Sequence, residues 1–258
     1  LQMYEEAEFP ESLKDVIIQD RPFTMNFPGL LKGEIHLWTA SLAASPEKIE
    51  ELRLVLSPEE QLRASYFKFE SKQHDYIMSQ AVLRVLISAY LDIAPGDVIM
   101  QARKKGKPFL VNEPSLFFNI SNSNKIGVYA FSRDAEVGVD IEKIRELPDL
   151  DELIDKNMTS REKAFILKDP AKKLSLFFQF WTFKEAYLKA IGEGMRLTPD
   201  NLEFSLSDGK IGLRSVKFGF EASDWQFKGF TRKGPYTGTL THRGRDTVIR
   251  DMYLPIKE

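Results

Sequence analysis

The chain contains no cysteine. That excludes disulfides, thiolate zinc sites and a cysteine nucleophile, and it fits a reducing compartment. Histidine is scarce: His36, His74 and His242 are the three in the chain, and they show no metal-ligand spacing. No apolar run approaches the roughly 20 residues that a membrane helix needs. No charged-then-apolar leader opens the chain, which starts at Leu1. Neither sign of charge dominates. With 36 basic and 38 acidic residues the formal net charge is -2, so bulk electrostatics argues against nucleic acid as a partner. Three motifs are also missing: the Gly-x-Ser-x-Gly nucleophile elbow, a glycine-rich dinucleotide fingerprint after a strand, and the Gly-x4-Gly-Lys-[Ser/Thr] phosphate loop. The expectation is a soluble cytoplasmic protein.

What is there is enough for a core: 258 residues, 43% of them hydrophobic, sufficient for one large domain or two small ones. Residues 1–33 carry Pro10, Pro22 and Pro28 with no sustained period and read as an extension. Ile35–Thr39 alternates as a strand. Ser57-Pro58-Glu59-Glu60 is a helix start, with a cap, a first-turn proline and a capping-box glutamate. A long helix is expected over Tyr76–Leu91, and strands over Leu116–Ile120 and Ile126–Phe131 with a polar turn at Ser121–Asn124. The order then repeats loosely. Val137–Ile141 is a strand, Thr159-Ser160-Arg161-Glu162 is a second capping box, and a helix over about 172–191 ends near Gly192. Short alternating runs near 202–206, 216–220, 225–230 and 247–253 read as antiparallel strands. This pattern predicts an α+β chain of two similar halves, 34–134 and 135–258, behind an extension over 1–33.

Two segments about forty residues apart carry the chemistry. In Val137-Gly138-Val139-Asp140-Ile141-Glu142, the period of two puts Asp140 and Glu142 on one face of a strand. Adjacent ionised carboxylates repel, so a cation between them is one reading, and a polar strand edge paired with Lys143 or Arg145 is the other. In Phe180-Trp181-Thr182-Phe183-Lys184-Glu185-Ala186-Tyr187-Leu188-Lys189, the residues Glu185 and Lys189 share a helix face. A surface ion pair worth about 0.2–0.5 kcal/mol would explain them. The apolar surroundings instead suggest enclosure, where charges need partners. Glu162 has the capping box as its plain explanation. Gly106-Lys107-Pro108 is a basic turn, and Phe118-Asn119-Ile120-Ser121 ends a strand in groups able to bond an anion or merely to form a hairpin.

Taken in order and spacing, Gly106-Lys107-Pro108, Phe118-Asn119-Ile120-Ser121, Gly138-Val139-Asp140-Ile141-Glu142 and Trp181-Thr182-Phe183-Lys184-Glu185-Ala186-Tyr187-Leu188-Lys189 resemble the 4′-phosphopantetheinyl transferases of the Sfp type. The resemblance runs from about residue 34 to the end. It implies two similar α/β subdomains related by a pseudo-twofold, with the active site in the cleft between them. It implies transfer of phosphopantetheine from coenzyme A to a serine of an apo acyl or peptidyl carrier protein, with Mg2+ as cofactor, adenosine 3′,5′-bisphosphate as leaving group, and action as a monomer. By the same resemblance Asp140, Glu142 and Glu185 match metal ligands, and Glu185, Lys189 and Glu162 match catalytic positions. Arg63, Lys107, Pro108, Ser121 and Asn122 match positions that contact the coenzyme.

The chain departs from the family pattern on the nucleotide side. Asn122 stands where His is usual, and Glu60, Asp75 and Gln80 stand where basic residues are frequent. Weaker coenzyme A binding is the expected consequence. Two competing functions follow: a degenerate relative that binds carrier or coenzyme A without turnover, and an unrelated metal-dependent phosphotransferase or phosphodiester hydrolase.

Overall fold

The computed structural model describes residues 5–6, 28–103, 106–192, 197–217, 224–244 and 247–254. Its elements are strands and helices in a repeated order. The first half runs β2 (Glu34–Ser41), α1 (Pro46–Arg53), α2 (Pro58–Ser65), α3 (Glu70–Leu91), a 3-10 turn at Pro95–Asp97, β3 (Met100–Ala102), β4 (Pro108–Leu110), β5 (Phe117–Ser123) and β6 (Ile126–Ser132). The second runs β7 (Val137–Lys143), α4 (Leu150–Asn157), α5 (Ser160–Leu167), α6 (Lys173–Ile191), a 3-10 turn at Pro199–Asn201, β8 (Leu202–Ser207), β9 (Lys210–Val216), β10 (Trp225–Arg232) and β11 (Tyr236–Arg243). The β2–β6–β5 order of one sheet matches the β7–β11–β10 order of the other. The expectation of an α+β fold with two similar halves is met.

Local chemistry explains the matching ends. Both capping boxes form, Ser57 with Glu60 at α2 and Thr159 with Glu162 at α5. Both long helices stop at a left-handed residue, Asp92 at φ 54° and Gly192 at φ 63°. β2 and β6 are buried on both faces because each serves two cores. Trp38, Ala40, Tyr129 and Phe131 pack under α3, while Ile35, Leu37, Val128 and Ala130 meet Val137, Val139 and Ile141 between the sheets. With its apolar residues committed to that inter-sheet core, β7 turns Gly138, Asp140 and Glu142 the other way, toward α6. A third core gathers Phe177, Phe180, Phe183 and Tyr187 of α6 against Leu202, Phe204 and Trp225.

The structure corrects four expectations. β5 continues through Ser123, and the turn is Asn124–Lys125, both left-handed at φ 44° and 70°. The serines stay in the strand because their side chains bond across to β7. Residues 202–216 form one hairpin, β8–β9, and 218–220 of the expected 216–220 strand lie outside the described residues. β11, the middle strand of the second sheet, was not expected: Thr237, Gly238, Thr239 and Thr241 give it no apolar alternation. The last strand, β12 (Val248–Leu254), is not antiparallel and not in the second half. It pairs in parallel with β2, in the first sheet. The expected boundary at 135–258 therefore encloses a strand that crosses back. Of residues 1–33, β1 (Glu5–Glu6) pairs in parallel with Met252 and Tyr253, and 7–27 lie outside the described residues. No helix among the described residues is long and apolar enough to cross a membrane.

Candidate active site

The cleft lies where β5 meets β7 across the two halves. β7 has one edge paired with β11, which leaves N–H groups on the other. β5 supplies side chains to them instead of a backbone ladder. Asn119 Oδ1 accepts from Val139 N at 2.9 Å, Ser121 Oγ from Ile141 N at 3.4 Å, and Ser123 Oγ from Lys143 N at 3.0 Å. These contacts hold β7 in register, so Asp140 and Glu142 open into a cavity of ≈ 360 Å³ walled by Tyr76, Ser79 and Gln80 of α3 and by Trp181, Glu185 and Lys189 of α6.

Asp140 is buried at 4% exposure and sits at the centre of a small network. Lys189 Nζ lies 2.7 Å from Asp140 Oδ1 and donates to Ser121 Oγ at 2.8 Å, and Ser121 Oγ donates to the same Asp140 oxygen at 2.8 Å. Ser123 Oγ donates to Glu142 Oε2 at 3.0 Å, and Arg145 stands 3.6 Å from that oxygen. Burial first, and the Asp140 charge second, push both the Glu142 and the Glu185 carboxyl above their ordinary value. Lys189 opposes the shift at both. One lysine thus serves three carboxylates, and the site carries excess negative charge.

The other oxygen of Asp140, Oδ2, is buried and has no hydrogen-bond partner. An orphaned carboxylate oxygen in a polar cleft is costly unless something completes it. Among the described residues no group of three or more His, Asp and Glu side chains forms a ready-made metal cage. The donor set instead fits a hard cation that takes one or two carboxylates and completes its shell with water and substrate oxygen, which is the habit of magnesium. Asp140, Glu142 and Glu185 are the cleft carboxylates from which those ligands would come.

Of the ten residues singled out from the sequence, Asp140, Glu142, Glu185, Lys189, Ser121 and Asn122 line the cleft. Arg63 is exposed and lies over the Tyr76 ring, 5.6 Å from its centroid, at the cleft's edge. The other three are placed elsewhere. The Lys107 ammonium pairs with Glu136 and donates to Ala190 O at 2.6 Å, tying the end of α6 to the start of β7. Pro108 lines a separate small hollow with Arg103 and Phe109. Glu162, expected in a catalytic role, is 1% exposed at the junction of α5, α6 and β8. It accepts from Thr159 N at 2.7 Å and from Phe204 N at 2.8 Å, and pairs with Lys184 at 2.7 Å. Both of its oxygens are engaged in the interior, away from the cleft, and these contacts account for Glu162 as a structural group. Removing one partner of such a buried pair costs roughly 3–5 kcal/mol.

Sequence reasoning missed the bonding roles of Asn119 and Ser123, and Tyr76 and Ser79 as walls. The Asn-x-Ser-x-Ser spacing of period two was the available signal. Asp75, one of the departures noted above, is held by Lys125 at 2.5 Å, with Lys72 at 3.8 Å. Glu60, another, is spent on its cap and on Arg84.

A strand carboxylate pair facing a helical glutamate and lysine, in a cleft between duplicated α+β halves, is suited to phosphoryl-transfer chemistry. The family models agree. The 4′-phosphopantetheinyl transferase superfamily model matches residues 136–241, and the model for the 4′-phosphopantetheinyl transferase N-terminal region matches 40–134. The 4′-phosphopantetheinyl transferase HetI of Nostoc sp. is 34% identical over 170 residues, 64% of this chain and 72% of that protein. The Sfp transferase of Bacillus subtilis is 27% identical over 171 residues, 66% of this chain and 75% of its own. The human L-aminoadipate-semialdehyde dehydrogenase-phosphopantetheinyl transferase is 29% identical over 204 residues, 71% of this chain and 66% of its own. The chain belongs to the 4′-phosphopantetheinyl transferase superfamily. Its activity is phosphopantetheinyl transfer onto a carrier protein.

Proposed function

We propose that the donor is coenzyme A, that the acceptor is a serine hydroxyl of an apo acyl or peptidyl carrier protein, and that adenosine 3′,5′-bisphosphate leaves. The observation that carries this reading is the orphaned Asp140 Oδ2 in a cleft shared with two carboxylates of raised pKa. Bound at Asp140, Glu142 and Glu185, magnesium would neutralise the charge of a pyrophosphate and of its transition state. In the reaction the serine oxygen bonds to the phosphorus on the pantetheine side, and the bond from that phosphorus to the bridging oxygen breaks. Glu185 is the candidate acceptor of the serine proton, since it lines the cleft while Glu162 is engaged elsewhere. Lys189 stands ready to pair with the phosphate oxygens. Ser121, Asn122 and Arg63 flank the route for the nucleotide. Residues of both halves of one chain line the cleft, which supports action as a monomer.

Incubation of the protein with coenzyme A, magnesium and several apo carriers, read by intact mass, tests this. The expected result is a gain of one phosphopantetheine arm that chelation abolishes. Coenzyme A binding with no mass gain on any carrier would favour the degenerate binder suggested by Asn122 and Asp75. Release of adenosine 3′,5′-bisphosphate without any acceptor would favour a hydrolase.

The raised pKa values give a further expectation. Glu142 and Glu185 hold protons to a pH above the ordinary 4.5. A carboxylate whose folded pKa is raised stabilises the fold less as pH climbs from its unfolded value through its folded one. The contribution of these two groups to metal-free stability should therefore fall over that interval, opposite in sign to that of His36 and His242, whose burial lowers their pKa, and magnesium should restore it at the upper end. Magnesium affinity measured by calorimetry should weaken as pH falls through the same interval. A magnesium affinity that stays constant over that interval would contradict the crowding of charge described above.

A further inference from the structure

Two buried ion pairs occupy equivalent places in the two halves. Lys184 of α6 is fully buried, and its ammonium pairs with Glu162 Oε2 at 2.7 Å. It also donates to Asn157 O at 3.0 Å, Pro199 O at 2.7 Å and Leu202 O at 2.8 Å. Arg84 of α3 is 2% exposed. Its Nε donates to Glu60 Oε2 at 2.6 Å, and its Nη1 donates to Pro95 O at 2.8 Å and Val98 O at 3.1 Å. In each half the carboxylate is the third residue of a capping-box helix. Two of the carbonyls in each half come from the proline that opens the 3-10 turn and from the residue that closes it, and Asn157 O adds a third to the Lys184 pair. Arg84 and Lys184 each stand eight residues before the left-handed residue that ends their helix.

Apolar contacts fix a helix's rotation only through the shape of its packing, because the hydrophobic effect itself is not directional. A buried cation with several fixed acceptors cannot follow that rotation without leaving a charge unpaired. We propose that the two pairs are rotational locks on the helices that wall the cleft. They are structurally alike and differ in kinetic consequence. The Lys184 lock aims Glu185 and Lys189 at Asp140, so it sets the chemical step. The Arg84 lock aims Tyr76, Ser79 and Gln80, which only line the cavity, so it sets the affinity for the donor. Lys184, Glu162, Arg84 and Glu60 are positioning residues, and the kinetic half of the proposal rests on the donor assignment above.

The test uses the full chain with coenzyme A, magnesium and an apo carrier. Lys184→Met is expected to lower kcat about 10²-fold, the scale of a misplacement near 1 Å, with the donor KM unchanged. Its pH profile should keep its shape, since no proton-transfer group is removed. Arg84→Met is expected to raise the donor KM with kcat nearly unchanged. Arg84→Lys should restore normal behaviour, because in the other half a lysine ammonium satisfies the equivalent acceptors. Glu162→Asp and Glu60→Asp retain every charge and shift the lock by one methylene. They should show the same split, kcat for the first and KM for the second, if the methionine variants do not fold.

Hydrogen exchange of the α6 and α3 amides reads the locks without turnover. Lys184→Met should deprotect α6 selectively, and Arg84→Met should deprotect α3. Activity falling only in step with the folded fraction, or both aspartate variants moving the same constant, would overturn the proposal. Selective deprotection in the two variants, together with a wild-type chain that takes no arm from coenzyme A, would overturn the donor assignment and leave the locks standing.

Discussion

Asp140→Asn is expected to abolish magnesium-dependent transfer while leaving the fold as stable as before, or more so. The substitution keeps the volume and the oxygen that bonds Ser121 and Lys189. It replaces the orphaned oxygen by an NH₂ group, which cannot ligate a cation. The lost electrostatic stabilisation of the transition state is several kcal/mol, which at about 1.4 kcal/mol per decade is a rate loss of about 10³. The metal-free fold loses one of three crowded negative charges, so repulsion on Glu142 and Glu185 falls. The measurements are carrier mass gain per minute and thermal midpoints with chelator. Transfer within tenfold of wild type would remove Asp140 from the metal site. A large drop in the metal-free midpoint would mean that its bond to Lys189 outweighs the repulsion.

Gly138→Ala is expected to damage both stability and activity. A Cβ at residue 138 would lie 2.1 Å from Ala186 O, 2.7 Å from Ala190 N and 2.7 Å from Ala190 Cβ. Two of these are backbone atoms of α6, so relief requires the helix to move away from β7. Overpacking of this kind costs about 1–3 kcal/mol. The same movement carries Glu185 and Lys189 away from Asp140, and a displacement of about 1 Å is enough for a 10²-fold loss of rate. Gly96→Ala is the control, since a Cβ there has no atom within 4 Å. Urea unfolding and transfer rates on the two variants decide the matter. Wild-type activity in Gly138→Ala would show that α6 can shift without loss of the site.

Much of this was legible in the residues because it depends on local chemistry. Capping boxes are written in four residues, so α2 and α5 were readable. A strand with period two puts Asp140 and Glu142 on one face wherever it packs, so the acidic pair was readable as well. β11 was not, because its threonines and Gly238 conceal burial that comes from the neighbours on either side. The direction and sheet of β12 were not, because an alternating run states that it is a strand and is silent about its partner.

The duplicated order of elements also left the number of sites open. Counted back from the left-handed residues that end the two long helices, Val85 and Ala89 stand where the second half has Glu185 and Lys189. Trp38 and Ala40 face α3 as Asp140 and Glu142 face the cleft, and β12 fills the β2 edge that corresponds to the one β5 meets on β7. One acidic cleft therefore forms rather than two.

Residue type and spacing were sufficient for the class of fold, the acidic strand face and the glutamate and lysine that share a turn of helix. They could not assign Glu162 or Lys107. A carboxylate in a capping box and a lysine in a turn look the same whether they face a ligand or the interior. Only packing turned Glu162 toward Lys184, Lys107 toward Ala190 O, and Lys189 away from its helical neighbour to Asp140. Those contacts join residues 22, 83 and 49 positions apart in the chain. At such separations partner choice is set by which faces the helices and strands bury, and not by local sequence.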